Sequence, residues 1–389
     1  MKIAIICSLY PPQIGGGAEI STSLLANGLS DNGHEVHVIT QGERDHTEKS
    51  GEITIHRLKS RNIYWEYENK SPNPVKRFVW HVIDIYNPFL KKPLTQLLKG
   101  IQPDVVHTHN LSGISCVAWD VAHQLHLPIV HTLRDYYLMC PRTTMMKGAA
   151  SCRKQCAKCH LFSIMKKRMS RKVDAVVGIS DYILERHLTE GYFRNSKLQR
   201  KISNSVSIQQ RFTRKSLGRT IGYIGRISPE KGIEFLIEAF LKSESKGATL
   251  LIAGSGKEAY VSQLKEKHKD DNIRFLGKCA QSDFFPKIDL LVVPSLWNEP
   301  FGRVVIEAYS FHVPVLMANN GGLAELVESG ISRSFSTAHG ISSLISLLND
   351  FFNDRMKVND DMFDKVLRKY SNDKTLESYI ALYTCLIKR

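Results

Sequence analysis

Trp297-Asn-Glu-Pro-Phe-Gly-Arg-Val-Val-Ile-Glu307 is the stretch on which the reading of this chain turns. Just ahead of it, Asp289-Leu-Leu-Val-Val-Pro294 is a short apolar, β-branched run with the pattern of a buried strand. Within and after it, Val304, Val305, Ala308 and Tyr309 recur at helical spacing. The stretch therefore reads as a strand-end loop entering a helix. Pro300 and Phe301-Gly302 would leave backbone N–H groups free at the helix start, where an anion is welcome. Glu299 precedes that start, and Glu307 is expected about two turns inside it. Two carboxylates beside an anion site suit a ligand that carries both phosphate and hydroxyls, because carboxylates accept from hydroxyls while N–H groups hold phosphate. The plainer alternative is a capping glutamate and a solvated helix glutamate.

Working outward, a strand–helix series surrounds this stretch. Thr220-Ile-Gly-Tyr-Ile-Gly225 reads as a strand, and the turn Arg226-Ile-Ser-Pro-Glu-Lys-Gly232 leads into a helix over 233–241. Arg226 and Lys231 flank that helix start and aim two cations where its N–H groups point, a phosphate site. Further strands are expected at 249–256, 273–277 and 313–317, with a turn at Asn319-Asn-Gly-Gly322 and closing helices at 340–351 and 370–387.

An earlier series has the same alternation. Residues 2–7 form a strand, Pro11-Pro-Gln-Ile-Gly-Gly-Gly17 a glycine-rich loop, 18–32 a helix and 33–40 the next strand. Gly15, Gly16 and Gly17 at a helix start allow close backbone approach to a phosphate or sugar. Residues 53–58 read as a strand and 64–76 as a loop. The strand at 104–109 ends in His109, with His107 alternating into the core, and a helix follows over 114–124. The strand at 128–135 ends in Arg134-Asp135. Ligand groups gather at strand C-terminal ends in open α/β sheets, so His109, Arg134 and Asp135 are site candidates. A basic helix over 162–172, a strand at 174–180, a helix at 182–189 capped by Ser180-Asp181, and a strand at 201–206 complete this half. The polar stretch 207–219 has no apolar periodicity and reads as the linker between two domains.

Composition agrees with two domains. The chain has 389 residues, 42% hydrophobic and 23% charged. No run approaches the roughly 18 apolar residues of a membrane span, and the first residues read as a strand instead of a leader, which predicts a cytoplasmic chain. The net charge of +15 favours anionic partners. Residues 75–98 mix aromatic and apolar residues with Lys76, Arg77, Lys91 and Lys92; the segment can rest on an anionic membrane surface or pack as a helix pair with solvated lysines. Of eight cysteines, Cys7, Cys116 and Cys279 read as small buried residues, and Cys385 sits in the terminal helix. Cys140, Cys152, Cys156 and Cys159 have spacing compatible with a tetrahedral, structural zinc site in a loop over 140–160, with unligated thiols as the alternative.

Three of these motifs together resemble glycosyltransferase family 4. They are Gly15-Gly-Gly17 after the first strand, Gly225-Arg226 with Pro229-Glu-Lys-Gly232, and Glu299-x₇-Glu307 with Phe301-Gly302. The resemblance implies the GT-B architecture: two Rossmann-like parallel-sheet domains facing a central cleft. The domains fall at 1–205 (acceptor side) and 206–369 (nucleotide-sugar side), with a final helix over 370–389 crossing back onto the first. It also implies that the residues matching Arg226 and Lys231 hold the donor diphosphate, the match to Glu307 binds ribose, and the match to Glu299 with the Phe301-Gly302 backbone holds sugar hydroxyls. The glycine loop closes over the donor. Anomeric configuration is retained, and no metal cofactor is needed for catalysis.

One position departs from the pattern: many relatives end the strand with His-Asp where this chain has Arg134-Asp135. Arginine does not accept a proton. Either Arg134 orients an anionic donor or acceptor, or His109 or Asp135 covers the missing role. The expected function is transfer of a sugar from a nucleotide-sugar to a hydroxyl of a glycan or lipid-linked glycan in polysaccharide or lipopolysaccharide synthesis, at the inner face of a membrane. Two alternatives stand beside it. One is another GT-B enzyme such as a sugar-nucleotide epimerase. The other, a basic zinc-containing nucleic-acid-binding protein, leaves the glutamate spacing unexplained, so no nucleic-acid partner is expected.

Overall fold

The structure, a computed structural model, describes residues 1–68, 72–148, 150–206 and 218–388. Most of the stretch read as a linker (207–217), three residues of the loop read over 64–76 (69–71), and residue 149 of the cysteine-rich loop lie outside the described residues. Two compact units form: Met1–Met145 with Cys152–Ser205 and Asn372–Arg389, and Met146–Ser151 with Val206–Ser371.

The first unit contains β1 (Lys2–Ile6), β2 (Glu35–Gly42), β3 (His46–Ser50), β4 (Ile53–Lys59), β5 (Val105–Thr108) and β6 (Ile129–Leu133). A small antiparallel hairpin, β7 (Met146–Lys147) with β8 (Ala150–Ser151), groups with the second unit. The first unit resumes with β9 (Ala175–Gly178) and β10 (Leu198–Lys201). Its sheet runs β10-β9-β6-β5-β1-β2-β4-β3, parallel except where β3 folds back against β4. Strands β5, β6 and β9 are buried along their whole length, as parallel strands covered on both faces must be. The terminal helix Asn372–Ile387 adds Leu376, Tyr379 and Tyr383 to the core formed by Ile3, Val36 and Val130.

The second unit holds β11 (Thr220–Ile224), β12 (Thr249–Ala253), β13 (Ile273–Gly277), β14 (Leu290–Val293), β15 (Val315–Ala318) and β16 (Ser332–Phe335). They form one parallel sheet in the order β13-β12-β11-β14-β15-β16. The helix Ile233–Lys242 packs Leu236, Ile237 and Phe240 onto its core with Leu250 and Val292. Strand order reverses between β1 and β5 in one unit and between β11 and β14 in the other. Doubly wound sheets hold ligands at such reversals, at the strand C-terminal ends.

Several boundaries differ from the sequence reading. The helix read over 114–124 starts only at Val117, because Gly113 and Ser115 take positive φ of 80° and 70°. The strand read at 201–206 lies earlier, at Leu198–Lys201, where parallel pairing to β9 is available. The basic helix read over 162–172 begins at Ala157. Strand β3 and the helix Asp360–Leu367 were not anticipated. Cys7 and Cys116 are buried as read, whereas Cys279 is exposed just past the end of β13.

Candidate functional site

In the second unit the loops that leave β11 and β14 are tied to each other. The Glu230 carbonyl accepts the N–H groups of Leu296 and Trp297 at 2.9 and 3.3 Å. Gly232 makes this approach feasible: it has φ +71°, and a Cβ there would stand 2.0 Å from the Pro294 carbonyl oxygen. Lys231, on the short turn Pro229–Lys231, donates from Nζ to Glu299 Oε1 at 2.6 Å. Ser295 Oγ donates to the same oxygen at 2.7 Å, and the ammonium lies 4.9 Å from the Trp297 ring centroid. Glu299 is only 8% exposed. Burial pushes its carboxyl up, but the Lys231 charge and the bonds from Lys231 and Ser295 outweigh this, and the net shift is downward. An ionised, oriented acceptor results.

The loop after β15 fixes the backbone on the other side. Asn320 Nδ2 donates to the Ser295 carbonyl at 2.8 Å, and Gly322 N donates to the Glu299 carbonyl at 2.7 Å. Gly302, with φ +104°, is the N-cap of the helix Arg303–Ser310, so the helix start follows directly from the buried Phe301. Because the helix begins at Arg303, Glu307 sits one turn inside it, not two, and accepts from Arg303 Nε at 2.6 Å. The Arg226 side chain is exposed, and its carbonyl accepts from Tyr223 Oη at 2.6 Å. Lys231 and Glu299 are thus in contact, Phe301, Gly302 and Glu307 share one helix start, and Arg226 shares the turn of Lys231. Ser295, Arg303 and Asn320 were missed. Arg303 was findable, since it precedes Glu307 by one helical turn.

In the first unit the end of β5 carries the polar groups. Arg134 donates from Nε to His109 Nδ1 at 3.0 Å and from Nη1 to Asn204 Oδ1 at 2.5 Å. Burial first, then the charges of His107 and Arg134, hold the His109 pKa well below its ordinary value. A neutral imidazole that accepts at Nδ1 carries its proton on Nε2, which is buried without a hydrogen-bond partner among the described residues. Asp135 accepts from Asn110 Nδ2 and from Tyr137 N, both at 2.8 Å. Burial raises its carboxyl to about 6, against the bond from Tyr137. His109, Arg134 and Asp135 therefore form one cluster.

Gly15 and Gly16 lie on the loop between β1 and the helix Gly17–Asp31, of which Gly17 is the first residue. Gly16 N donates to Glu19 Oε2 at 2.8 Å, and a Cβ at Gly16 would meet nothing within 4 Å. The fold itself does not require glycine at that position. The front of the loop is held by Arg57 of β4, which donates to the Pro11 carbonyl at 2.7 Å and to Gln13 Oε1 at 2.8 Å while pairing with Glu48 at 2.7 Å. No local pattern in the sequence marks Arg57 for this task.

The cysteines expected to gather around zinc do so only in part: Cys159 meets both Cys140 and Cys156. Cys159 Sγ lies 3.8 Å from Cys140 Sγ, yet no three of Cys140, Cys152, Cys156 and Cys159 bring their sulfurs within 4.8 Å of one another. Cys156 is the N-cap of the helix Ala157–Met169 and Cys159 is inside it, so the end of the segment read as a loop is helical. The one set of three candidate ligands among the described residues is Glu234, Glu238 and His268, and Glu234 there is already paired with Lys267.

Two parallel α/β units of this strand order, with a lysine–glutamate pair and a glycine-capped helix at one switch point, define an enzyme of the GT-B class. Residues 15–199 match the family model described as Glycosyltransferase Family 4, and residues 207–368 match that described as Glycosyl transferases group 1. The chain belongs to this glycosyltransferase family, whose members transfer sugars from nucleotide-sugar donors. It is 36% identical over 330 residues to an uncharacterized 42.6 kDa protein in the cps region of Klebsiella pneumoniae, covering 84% of this chain and 87% of that one. It is 23% identical over 354 residues to the alpha-monoglucosyldiacylglycerol synthase of Streptococcus pneumoniae, covering 84% and 73%. Among solved structures, Anabaena HepE in complex with UDP and glucose aligns with a TM-score of 0.73 at 17% identity, over 99% of this chain and 100% of that one; the likeness is one of fold.

Proposed function

We propose that the chain is a retaining hexosyltransferase that moves a sugar from a nucleotide-sugar to a hydroxyl of a glycan or lipid-linked glycan, in building a surface polysaccharide or lipopolysaccharide. The observation that carries this reading is the contact of Lys231, Ser295 and Glu299 beside the helix start at Gly302. The relative in a cps region and the glycolipid synthase agree with the choice of acceptor.

In this reading Arg226, Lys231 and the helix N–H groups hold the donor diphosphate. Glu299 accepts hydroxyls of the sugar, Glu307 binds the ribose, and Gly15 to Gly17 let the backbone approach the donor. During transfer the anomeric C–O bond to the diphosphate breaks, and its electron pair stays on the leaving phosphate oxygen. The new bond forms from the acceptor oxygen on the same face, and the acceptor proton passes to the leaving group or to Asp135. Arg226 and Lys231 supply the fixed positive charge that stabilises the departing diphosphate, the term that usually dominates such catalysis. His109, proton on Nε2 and Nδ1 occupied, serves to position Arg134. A lipid-anchored acceptor would be met at an anionic, cytoplasmic membrane surface.

Product analysis tests the assignment. Incubated with nucleotide-sugars and acceptor glycans, the protein is expected to release nucleoside diphosphate only when acceptor is present, and NMR is expected to show a product with the donor's anomeric configuration. Inversion would remove the retaining mechanism. An epimerised sugar-nucleotide formed without acceptor would establish the rival chemistry.

A further inference from the structure

The helix Pro74–Ile85 buries only Trp80 and Asp84. Val75, Phe78, Val79 and Val82, at helical i, i+3, i+4, i+7 spacing, are instead 71%, 56%, 39% and 45% exposed. This helix packs against Ala157–Met169, a helix from a distant part of the chain, with the Phe78 and Phe162 rings edge-on at 5.8 Å. The second helix adds Leu161, Ile164 and Met165, 68%, 51% and 39% exposed. Monomeric soluble proteins rarely leave so many large apolar side chains together in water.

The two segments that build this face expose charge of one sign. Between residues 151 and 173 the sequence has no aspartate or glutamate, while Arg153, Lys154, Lys158 and Arg168 are exposed. Around the other helix, Lys76, Arg77 and Lys92 are exposed, and the one acid between 72 and 103, Asp84, is turned inward. An apolar centre within a cationic surround matches the two layers of an anionic lipid surface, acyl boundary and headgroups. It matches an acidic or apolar protein groove less well, because either of those satisfies only one of the two features.

Beneath the face the helices are clamped. Lys166 is 5% exposed, with Nζ 3.7 Å from Asp84 Oδ2 and 3.4 Å over the Tyr137 ring centroid. Tyr137 in turn donates its N–H to Asp135 at the strand-end cluster. A surface held this way on the first unit has a fixed relation to Asp135.

The geometry points to the paired helices Pro74–Ile85 and Ala157–Met169 as a docking face for an anionic lipid bilayer, which the chain engages by inserting Phe78 and Leu161 with their neighbours among the headgroups. This deepens the reading of a lipid-linked acceptor and rests on it only for its biological purpose; docking itself needs no transfer.

Co-sedimentation of the full chain with phosphatidylglycerol-containing vesicles, against vesicles of phosphatidylcholine alone, tests it. The wild type is expected to bind the anionic vesicles and to weaken as salt is raised. The pair Phe78→Ser and Leu161→Ser is expected to lose binding by about tenfold or more, and Lys158→Glu with Arg168→Glu to do the same with the apolar face intact. Thermal unfolding and transfer to a soluble acceptor stay unchanged in both variants. A wild type that ignores anionic vesicles, or serine variants that bind as before, overturns the proposal. Self-association of the wild type abolished by the serine pair, without vesicle binding, would give the face to a second copy instead. Loss of transfer with vesicle binding preserved would count against the enzymatic reading alone.

Discussion

Lys231 and Glu299 are 68 residues apart in sequence and 2.6 Å apart in space because glycine-bearing turns let two loops of the second unit close on each other. The first unit assembles its strand-end cluster by another route. His109 and Arg134 are neighbours across β5 and β6, and Arg134 is held by Asn204, a residue beyond β10. One constellation is made of opposed charges on tight turns, the other of neutral or burial-shifted groups steadied by long-range partners. On the proposed function, the difference fits a division of labour. A diphosphate has the same chemistry in every donor and can be met by a fixed set of charges, whereas acceptors differ and their site can be assembled residue by residue.

The glycines offer the strongest way to break this comparison. Gly232→Ala would force a Cβ to 2.0 Å from the Pro294 oxygen at a positive φ, and it is expected to destabilise the second unit by about 3 kcal/mol or more. Chemical denaturation followed by far-UV circular dichroism reads this directly. An unchanged midpoint would mean that the loops are not held as described.

Arg57 tests the first unit's reliance on distant partners. Arg57→Leu removes bonds to Pro11, Gln13 and Glu48 and is expected to cost about 2–3 kcal/mol. The Michaelis constant for the nucleotide-sugar should also rise, since the glycine loop loses its anchor. Stability lost with no change in that constant would confine Arg57 to a purely structural role.

Asp135 gives a pH signature opposite in sign to that of Glu299 in the second unit. Its folded pKa of about 6 stands above the ordinary 3.8, so the folded chain takes up a proton before the unfolded one as pH falls. Its contribution to stability is therefore full below about 3.8, declines as pH rises, and is lost above about 6. Asp135→Asn is expected to raise the urea midpoint at pH 7 and to flatten its dependence between those pH values. A midpoint lowered at pH 7 would mean that the carboxylate is stabilised, not strained, by its surroundings.

The smallest effect is expected at Gly16, where an added Cβ meets open space. Gly16→Ala should shift stability by no more than about 1 kcal/mol, the size of an N-cap preference, yet impair transfer if the loop exists to approach the donor. Full activity in this variant would remove the loop from the donor site.

The same contrast explains what could be read from the chain alone. Strands β1, β11, β12 and β14 are largely apolar runs and were legible, as was the alternation that makes two parallel sheets. The motifs proposed to hold the donor were legible as local turns and a helix start because Gly232 and Lys231, or Glu299, Gly302 and Glu307, sit close together in sequence. Arg57 and Asn204 were not, because Gln13 and Arg134, which they bind, lie 44 and 70 residues away and no local spacing encodes them. The zinc reading gains no closed ligand set: cysteine spacing suggested a loop, whereas the helix that starts at Ala157 carries Cys159 with it. Edge strand β3, largely exposed and polar, lacks the apolar signal by which strands are recognised.

The central claim is that the charge of Lys231, aimed at the donor diphosphate and opposed to Glu299, drives transfer. Acceptor-dependent release of nucleoside diphosphate by wild type and by Lys231→Ala, with folding checked by denaturation, tests it most directly. The predicted result is a turnover lower by roughly 10² to 10³ in a protein that melts like the wild type. Near-normal turnover in Lys231→Ala would contradict the account.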